Sequence, residues 1–309
     1  MSKLPFRIGI HPINWVGEDV KEHGNDTTCE QILDDIQRLG LTGTEMGRKY
    51  PTDRIELKKE LDQRGIRLVS QWKSVLFSDP SYRQSELDGY RRHAEFLQSM
   101  GSTVISTCEV GGSLHFDPRR TPHEKEVLRL GEPEWQALAE GLNAAGEIAR
   151  EHGLKLTYHH HGGTAVEQPE EIDKLMELTD PALVHLLYDT GHAYYGGADP
   201  LEVLRKHYDR IAYIHLKDVR PQVLAEARAE QSDFVGCIRK GVFTVPGDGC
   251  IDFAPIVQEL VSRGYNGWAM LEGEQDPAVH NPYEYAKRSL AYIDSLVREP
   301  NDTERSPLT

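Results

Sequence analysis

The sequence predicts an α/β chain of one domain whose eight parallel strands close into a (β/α)8 barrel. Three observations carry that prediction. A phrase recurs along the chain, in which an amphipathic helix ends on a glycine or a turn and a short β-rich run follows. Eight such runs fit within 309 residues, a length that α/β barrels use as one unit. Four of the runs finish in residues of the type that ligate metals: YHHHGG at 158–163, YDTGH at 188–192, IHLKD at 214–218 and LEGE at 271–274. Residues so far apart meet at one point only if their strands stand side by side and parallel.

The first strand is read in FRIGIHP, 6–12. The helix-then-strand phrase then appears as DDIQRLG before LTGTEMG (34–47), KKELDQRG before IRLVSQW (58–72), AEFLQSMG before STVISTCE (94–109) and AAGEIAREHG before LKLTYHHH (144–161). Two units, MELTDPALVHLLYDT (176–190) and LRKHYDRIAYIHLKD (204–218), use other turns, and VQELVSRG before YNGWAMLEGE (257–274) completes the set. Gly40, Gly65, Gly101, Gly153 and Gly264 sit where a helix end calls for a left-handed residue. Strands alternating with helices imply right-handed crossovers and a parallel sheet. A doubly wound open sheet shares this local pattern, but no GxGxxG follows the first strand, so a dinucleotide fold loses its main support. Long connections at 12–28, 110–136 and 219–252 read as lids or binding loops at the barrel mouth; 110–136 is either a cover over that mouth or a polar surface loop. The barrel is expected to occupy 1–298, and EPNDTERSPLT, 299–309, reads as a disordered tail.

The net charge of -15, from 50 acidic against 35 Lys and Arg residues, opposes binding to polyphosphate surfaces. Neither nucleic acid nor a membrane is an expected partner, because no apolar run approaches the roughly 20 residues that span a bilayer. The N-terminal MSKLPFRIGIHPINW lacks the pattern of a signal peptide, and Cys29, Cys108, Cys237 and Cys250 show no CxxC spacing. A cytoplasmic protein with reduced thiols is expected.

Strand periodicity places His185, Leu187 and Asp189 on one face, Tyr213, His215 and Lys217 on another, and Met270, Glu272 and Glu274 on a third. A carboxylate ending an apolar strand is costly to bury alone, so Asp189 must meet a cation, a metal or hydrogen-bond donors. Singly, each signal has a plainer reading: Asp189 as a cap on the next helix, His215 as a satisfied core residue, Glu272 as a surface acid. Their coincidence at successive strand ends favours a site. Of the histidine triple, alternation aims His159 and His161 one way and His160 the other.

The phrases IGIHPINWVGED, TGTEMGRKYP, SQWKS, YHHHGGTAVE, LLYDTGHAYYGG, YIHLKDVR, FTVPGDGCIDF and WAMLEGEQDP, spread over about residues 5 to 295, resemble the xylose isomerase-like TIM-barrel superfamily. Within it they are similar to the dehydratases of keto-inositols. The resemblance implies loss of water from 2-keto-myo-inositol to give a trihydroxycyclohexane-1,2-dione. It also implies a divalent metal, manganese or cobalt with zinc as a further choice, and a glutathione requirement that no residue here predicts.

The superfamily's metal set of Glu, Asp, His and Glu maps onto Asp189, His215 and Glu272, with His159 where the first glutamate is expected. Either His159 is a ligand, or three protein ligands and water suffice. Proton transfer falls to remaining strand-end residues: Glu45 or His192 as base, and Lys73 or Lys217 as acid or hydroxyl-binding group. Trp15, Trp72 and Tyr194 are candidate walls for the ring, and Glu109 and His161 further substrate contacts. A polyol ketone is thus the expected partner, with a homo-oligomer left open. Competing readings are a sugar isomerase or epimerase on the same barrel, an endonuclease IV-like phosphodiesterase, which the acidic balance disfavours, and a non-catalytic sugar-binding protein.

Overall fold

The computed structural model describes residues 4–121 and 126–297; the expected tail at 299–309 lies outside the described residues. In chain order the elements are β1 (Arg7–Ile10), α1 (Cys29–Arg38), β2 (Gly43–Glu45), α2 (Arg54–Gln63), β3 (Arg67–Ser70), β4 (Trp72–Val75), α3 (Arg83–Met100), β5 (Val104–Glu109), α4 (Glu132–Glu151), β6 (Lys155–His159), α5 (Pro169–Leu178) and β7 (Val184–Asp189). There follow α6 (Thr190–Tyr195), α7 (Pro200–His207), β8 (Ile211–Leu216), β9 (Asp218–Val219), α8 (Pro221–Ala229), α9 (Phe234–Lys240), β10 (Phe243–Thr244), α10 (Phe253–Ser262), β11 (Trp268–Leu271) and α11 (Pro282–Leu296).

One parallel sheet runs in the order β3-β2-β1-β11-β8-β7-β6-β5-β4. Its two ends, β3 and β4, are consecutive in the chain with only Gln71 between them. The sheet therefore closes on itself: the third of eight barrel strands bends at Gln71, pairing with β2 before the bend and with β5 after it. This is the (β/α)8 TIM barrel. All five glycines expected at helix ends have φ between 66° and 77°, the left-handed geometry that lets a helix stop and the next strand begin.

Side chains alternate across each strand. One face of the barrel strands packs on the helices, and the other turns into the barrel, where Val69, Leu187, Tyr213, Trp268 and Met270 belong to one buried cluster. Gly43 makes room for this plug, since a Cβ there would lie 2.4 Å from the Trp268 ring. Two residues further along β7, β8 and β11, the same inward faces carry Asp189, His215 and Glu272. The connection 219–252, read from sequence as a loop, has structure of its own: α8, begun by Pro221, α9, capped by Asp233, and a short antiparallel pair of β9 with β10.

Candidate active site

The titratable residues that line one cavity of about 400 Å³ at the C-terminal mouth include His11 after β1, Glu45 at the end of β2, His159 ending β6, His215 in β8, and Lys217 and Glu272 just past β8 and β11. Asp189, ending β7, stands beside them. His159 Nε2 and His215 Nδ1 each lie 3.6 Å from Asp189 Oδ2, and His215 Nδ1 is 3.1 Å from Glu272 Oε1. On its other side the His215 ring meets Glu45 Oε1 at 2.6 Å, an oxygen that also accepts from the Tyr213 hydroxyl at 2.7 Å. His11 Nε2 stands 4.0 Å from both Glu45 and Glu272.

Such a group of buried charges survives only because opposite charges interleave. Burial alone would neutralise the carboxyls, yet His192 and Lys217 hold Asp189 well below the ordinary carboxylate range. His215 and Lys217 do the same for Glu272. In return, against the cost of burial, Glu272 and Glu45 keep the His215 imidazole well above its usual value. Lys217 is 1 % exposed, and its ammonium reaches Glu272 at 2.7 Å, Glu274 at 2.8 Å and His192 Nε2 at 3.0 Å. The two carboxylates accept from the ammonium, whereas His192, whose Nδ1 takes the Gly162 N–H, has its ring hydrogen on Nε2 and cannot also accept there.

The donor set fits a divalent cation. Both ring nitrogens of His159, Asp189 Oδ2 and His215 Nδ1 are buried without a hydrogen bond, a costly state that a metal ion relieves. The ligating atoms of His159, Asp189 and His215 lie within 4.8 Å of one another, and Glu272 Oε1 stands against the last of them. Two imidazoles and two carboxylates suit manganese, cobalt or zinc alike. At position 159, where the resemblance implies a glutamate, the histidine sets Nε2 3.6 Å from Asp189 Oδ2.

The other expected site residues divide. His161 and Trp72 line the cavity, their rings 5.3 Å apart, with Trp72 also edge-on to His159 at 5.4 Å. His160 points away and accepts the Asp189 N–H at Nε2. His192 sits behind Lys217, stacked on His161 at 3.8 Å, with Nδ1 accepting the Gly162 N–H and its own N–H donating to Asp189 Oδ1. Lys73 lies outside the cavity, bound to Glu86 and the Ser74 carbonyl. Glu109 turns back to accept the N–H groups of Phe77, Ser78 and Gly111. Trp15 donates to Asp35, and Tyr194 meets Cys250; neither lines the cavity. Sequence reasoning passed over His11 and Asp19 and gave Glu274, placed on the Glu272 face, no role; all three line it. For His11 and Glu274 the strand-end rule held the signal, in IGIHP and LEGE; for Asp19, inside a loop, none existed.

A closed α/β barrel with imidazoles, carboxylates and a lysine converging at the C-terminal strand ends defines a class of barrel enzymes that work at that mouth. The family described as xylose isomerase-like TIM barrel matches residues 33–296. The fold is shared with the IolI protein solved with a bound zinc atom, at TM-score 0.69, 14% identity and coverage of 96% of this chain and 100% of that one. It is shared too with a probable 3-DHS dehydratase from Bacillus anthracis, at TM-score 0.66, 16% identity and coverage of 96% and 100%. Inosose dehydratase of Geobacillus kaustophilus is 54% identical over 293 residues, 95% of each chain. That of Clostridium beijerinckii is 44% identical over 287 residues, 93% of this chain and 96% of the relative. The chain belongs to the inosose dehydratases, within the xylose isomerase-like TIM barrels.

Proposed function

We propose that this protein is a hydro-lyase that removes water from 2-keto-myo-inositol (scyllo-inosose) to give 3D-3,5/4-trihydroxycyclohexane-1,2-dione in inositol catabolism. A divalent ion is held in this reading by His159, Asp189, His215 and Glu272. The observation that carries it is the convergence of four such ligand atoms, three of them buried without hydrogen bonds, on the wall of a ring-sized cavity. The chemistry such an ion supplies is polarisation of a ketone oxygen and compensation of the charge that develops there.

The chain's own groups do the rest. Glu45 is the base for the proton next to the ketone: it lines the cavity, and His215 and His11 hold it ionised against the cost of burial. Lys217, in contact with both Glu272 and Glu274, is a positioning residue that fixes them. Trp72 offers its ring face or edge to the C–H side of a polyol ring. The donor set leaves manganese, cobalt and zinc open. No group in the cavity calls for glutathione, and assays with and without the thiol decide that point.

The partner is a small polyol ketone rather than nucleic acid, as the net charge of -15 favours. Among the described residues no helix is long and apolar enough to cross a membrane, and all four cysteines are free, which supports a reducing, cytoplasmic setting. Purified protein loaded with manganese or cobalt should convert 2-keto-myo-inositol to an ultraviolet-absorbing dione, and chelation should stop it. An isomeric inosose with no absorbing product would instead establish an epimerase.

A further inference from the structure

We propose that Glu18 is a specificity-determining residue that accepts hydrogen bonds from hydroxyls of the polyol ring, and that Arg48 is the residue that positions it; this rests on the dehydratase reading above. A cyclic polyol ketone brings several hydroxyl donors into the site, and much of the wall is already spent. Glu45 and Glu272 are taken up with His215 and Lys217. The Tyr50 hydroxyl is paired with Thr44 at 3.1 Å, and the Trp72 indole N–H donates to Ser74 at 2.7 Å. Glu18 lines the same cavity. Its Oε1 accepts the Arg48 backbone N–H at 2.9 Å, and among the described residues no hydrogen bond reaches its Oε2. A carboxylate only accepts, so the free oxygen calls for a donor, and ring hydroxyls are donors.

The placement is built by the chain. Glu18 lies in the connection between β1 and α1, which folds back so that the Gly17 N–H donates to the His23 carbonyl at 3.1 Å. Gly24 turns at φ 69°, where a Cβ would lie 1.9 Å from the Trp15 carbonyl oxygen. Val16 and Val20, both buried, root the loop in the hydrophobic core on either side of Glu18. Arg48, from the connection between β2 and α2, clips the loop down. Its Nε donates to the Gly17 carbonyl at 2.8 Å, and its Nη2 donates to the Lys21 carbonyl at 2.8 Å and to Asn25 Oδ1 at 3.0 Å. Three acceptors set around one planar guanidinium are a geometry that a lysine ammonium does not reproduce. Glu22, paired with Arg239 of α9 at 3.2 Å, ties the outer edge.

Clipped in this way, the carboxylate stands on the wall before the substrate arrives, and its hydrogen bonds cost little ordering. A ring hydroxyl that is missing, or turned to the wrong face, leaves the charged oxygen without its donor. A site built to hydrogen-bond a hydroxyl rejects the analogue that lacks it far more strongly than an apolar wall could. Glu18 thus sets which hydroxyl pattern among the inososes is accepted, and takes no part in moving protons.

The test is Glu18→Gln, assayed with 2-keto-myo-inositol and with monodeoxy analogues that lack, in turn, each hydroxyl surviving into the product. The glutamine keeps an oxygen for the Arg48 N–H and turns an NH2 group, a donor only, to the cavity. Expected are kcat/KM lowered by about 10- to 100-fold, mainly through KM, metal content unchanged, and the wild type's discrimination against one analogue reduced to less than about threefold. Arg48→Ala and Arg48→Lys, which both keep the backbone N–H, should raise KM likewise and expose Lys21 to trypsin, which the wild type resists. Glu18→Gln kinetics within about threefold of wild type would overturn the assignment, as would an equal loss on the parent and every analogue, the mark of a structural role. Arg48→Ala with a wild-type KM and no cleavage at Lys21 would overturn the role of Arg48. Should the variants fail to fold, the wild type decides: a loss below about threefold on every monodeoxy analogue would overturn the proposal. Wild-type protein that dehydrates none of these ketones would instead sink the dehydratase reading.

Discussion

Asp189 is fully buried, and one of its oxygens has no hydrogen bond. A carboxylate is left so only where something else supplies the positive charge. Asp189→Ala and Glu272→Ala should therefore each lose retained metal, read by elemental analysis after gel filtration, with turnover down by roughly 1,000-fold, in the range for removing a group that stabilises developing charge. Unchanged metal content in both variants would remove the proposed ligand set. At this scale the sequence was informative where periodicity aimed a side chain. Asp189, His215 and Glu272 could be placed on inward faces from alternation alone. Lys73 and Lys217 could not be told apart by it: both follow strand ends, but Lys73 pairs with Glu86 outside the cavity and Lys217 lines it beside Glu272.

Short elements next to the site hold these side chains in place. α6 begins just after Asp189, whose side chain caps it by accepting the His192 backbone N–H at 2.7 Å. Its second residue, Gly191, runs under Lys217: a Cβ there would lie 2.6 Å from the Lys217 Cγ. Gly191→Ala should displace the lysine stem and lower kcat by about 10-fold or more, since misplacement on the order of 1 Å costs up to about 100-fold. Circular dichroism should stay that of the wild type. An unchanged kcat would show that Lys217 need not stand where it does. Five of the eight barrel strands were legible because a glycine-ended helix announced each of them. The bend at Gln71 was not, because SQWKS continues the β-rich run on both sides of it and only closure of the ring demands the break. In 219–252, Pro221 and Asp233 were usable helix-start signals within a stretch whose polarity read as loop.

For the whole molecule, the cluster of buried acids and imidazoles links metal binding to folding. An ion that binds the folded barrel and not the unfolded chain stabilises it by about 2.7 kcal/mol at 100 times its dissociation constant, which raises the melting temperature by several degrees in a chain of this size. Calorimetry with and without manganese should show that rise in the wild type and its absence in Asp189→Ala. A wild-type melting temperature indifferent to every divalent ion would argue that the buried acids are balanced by His215 and Lys217 alone.

The sequence by itself determined the barrel, its single domain and the strand ends that bear chemistry, because these follow from local periodicity, helix-stopping glycines and phrases that run almost the length of the chain. Only the tertiary structure decided which of those ends share a cavity, that Glu109 and His192 are held behind its wall, and that Asp19 and Glu274 line it together. Alternation fixes the face on which a side chain emerges. It carries no information on how a loop returns over the mouth, and residues from opposite ends of the chain line one cavity only once the ring has closed.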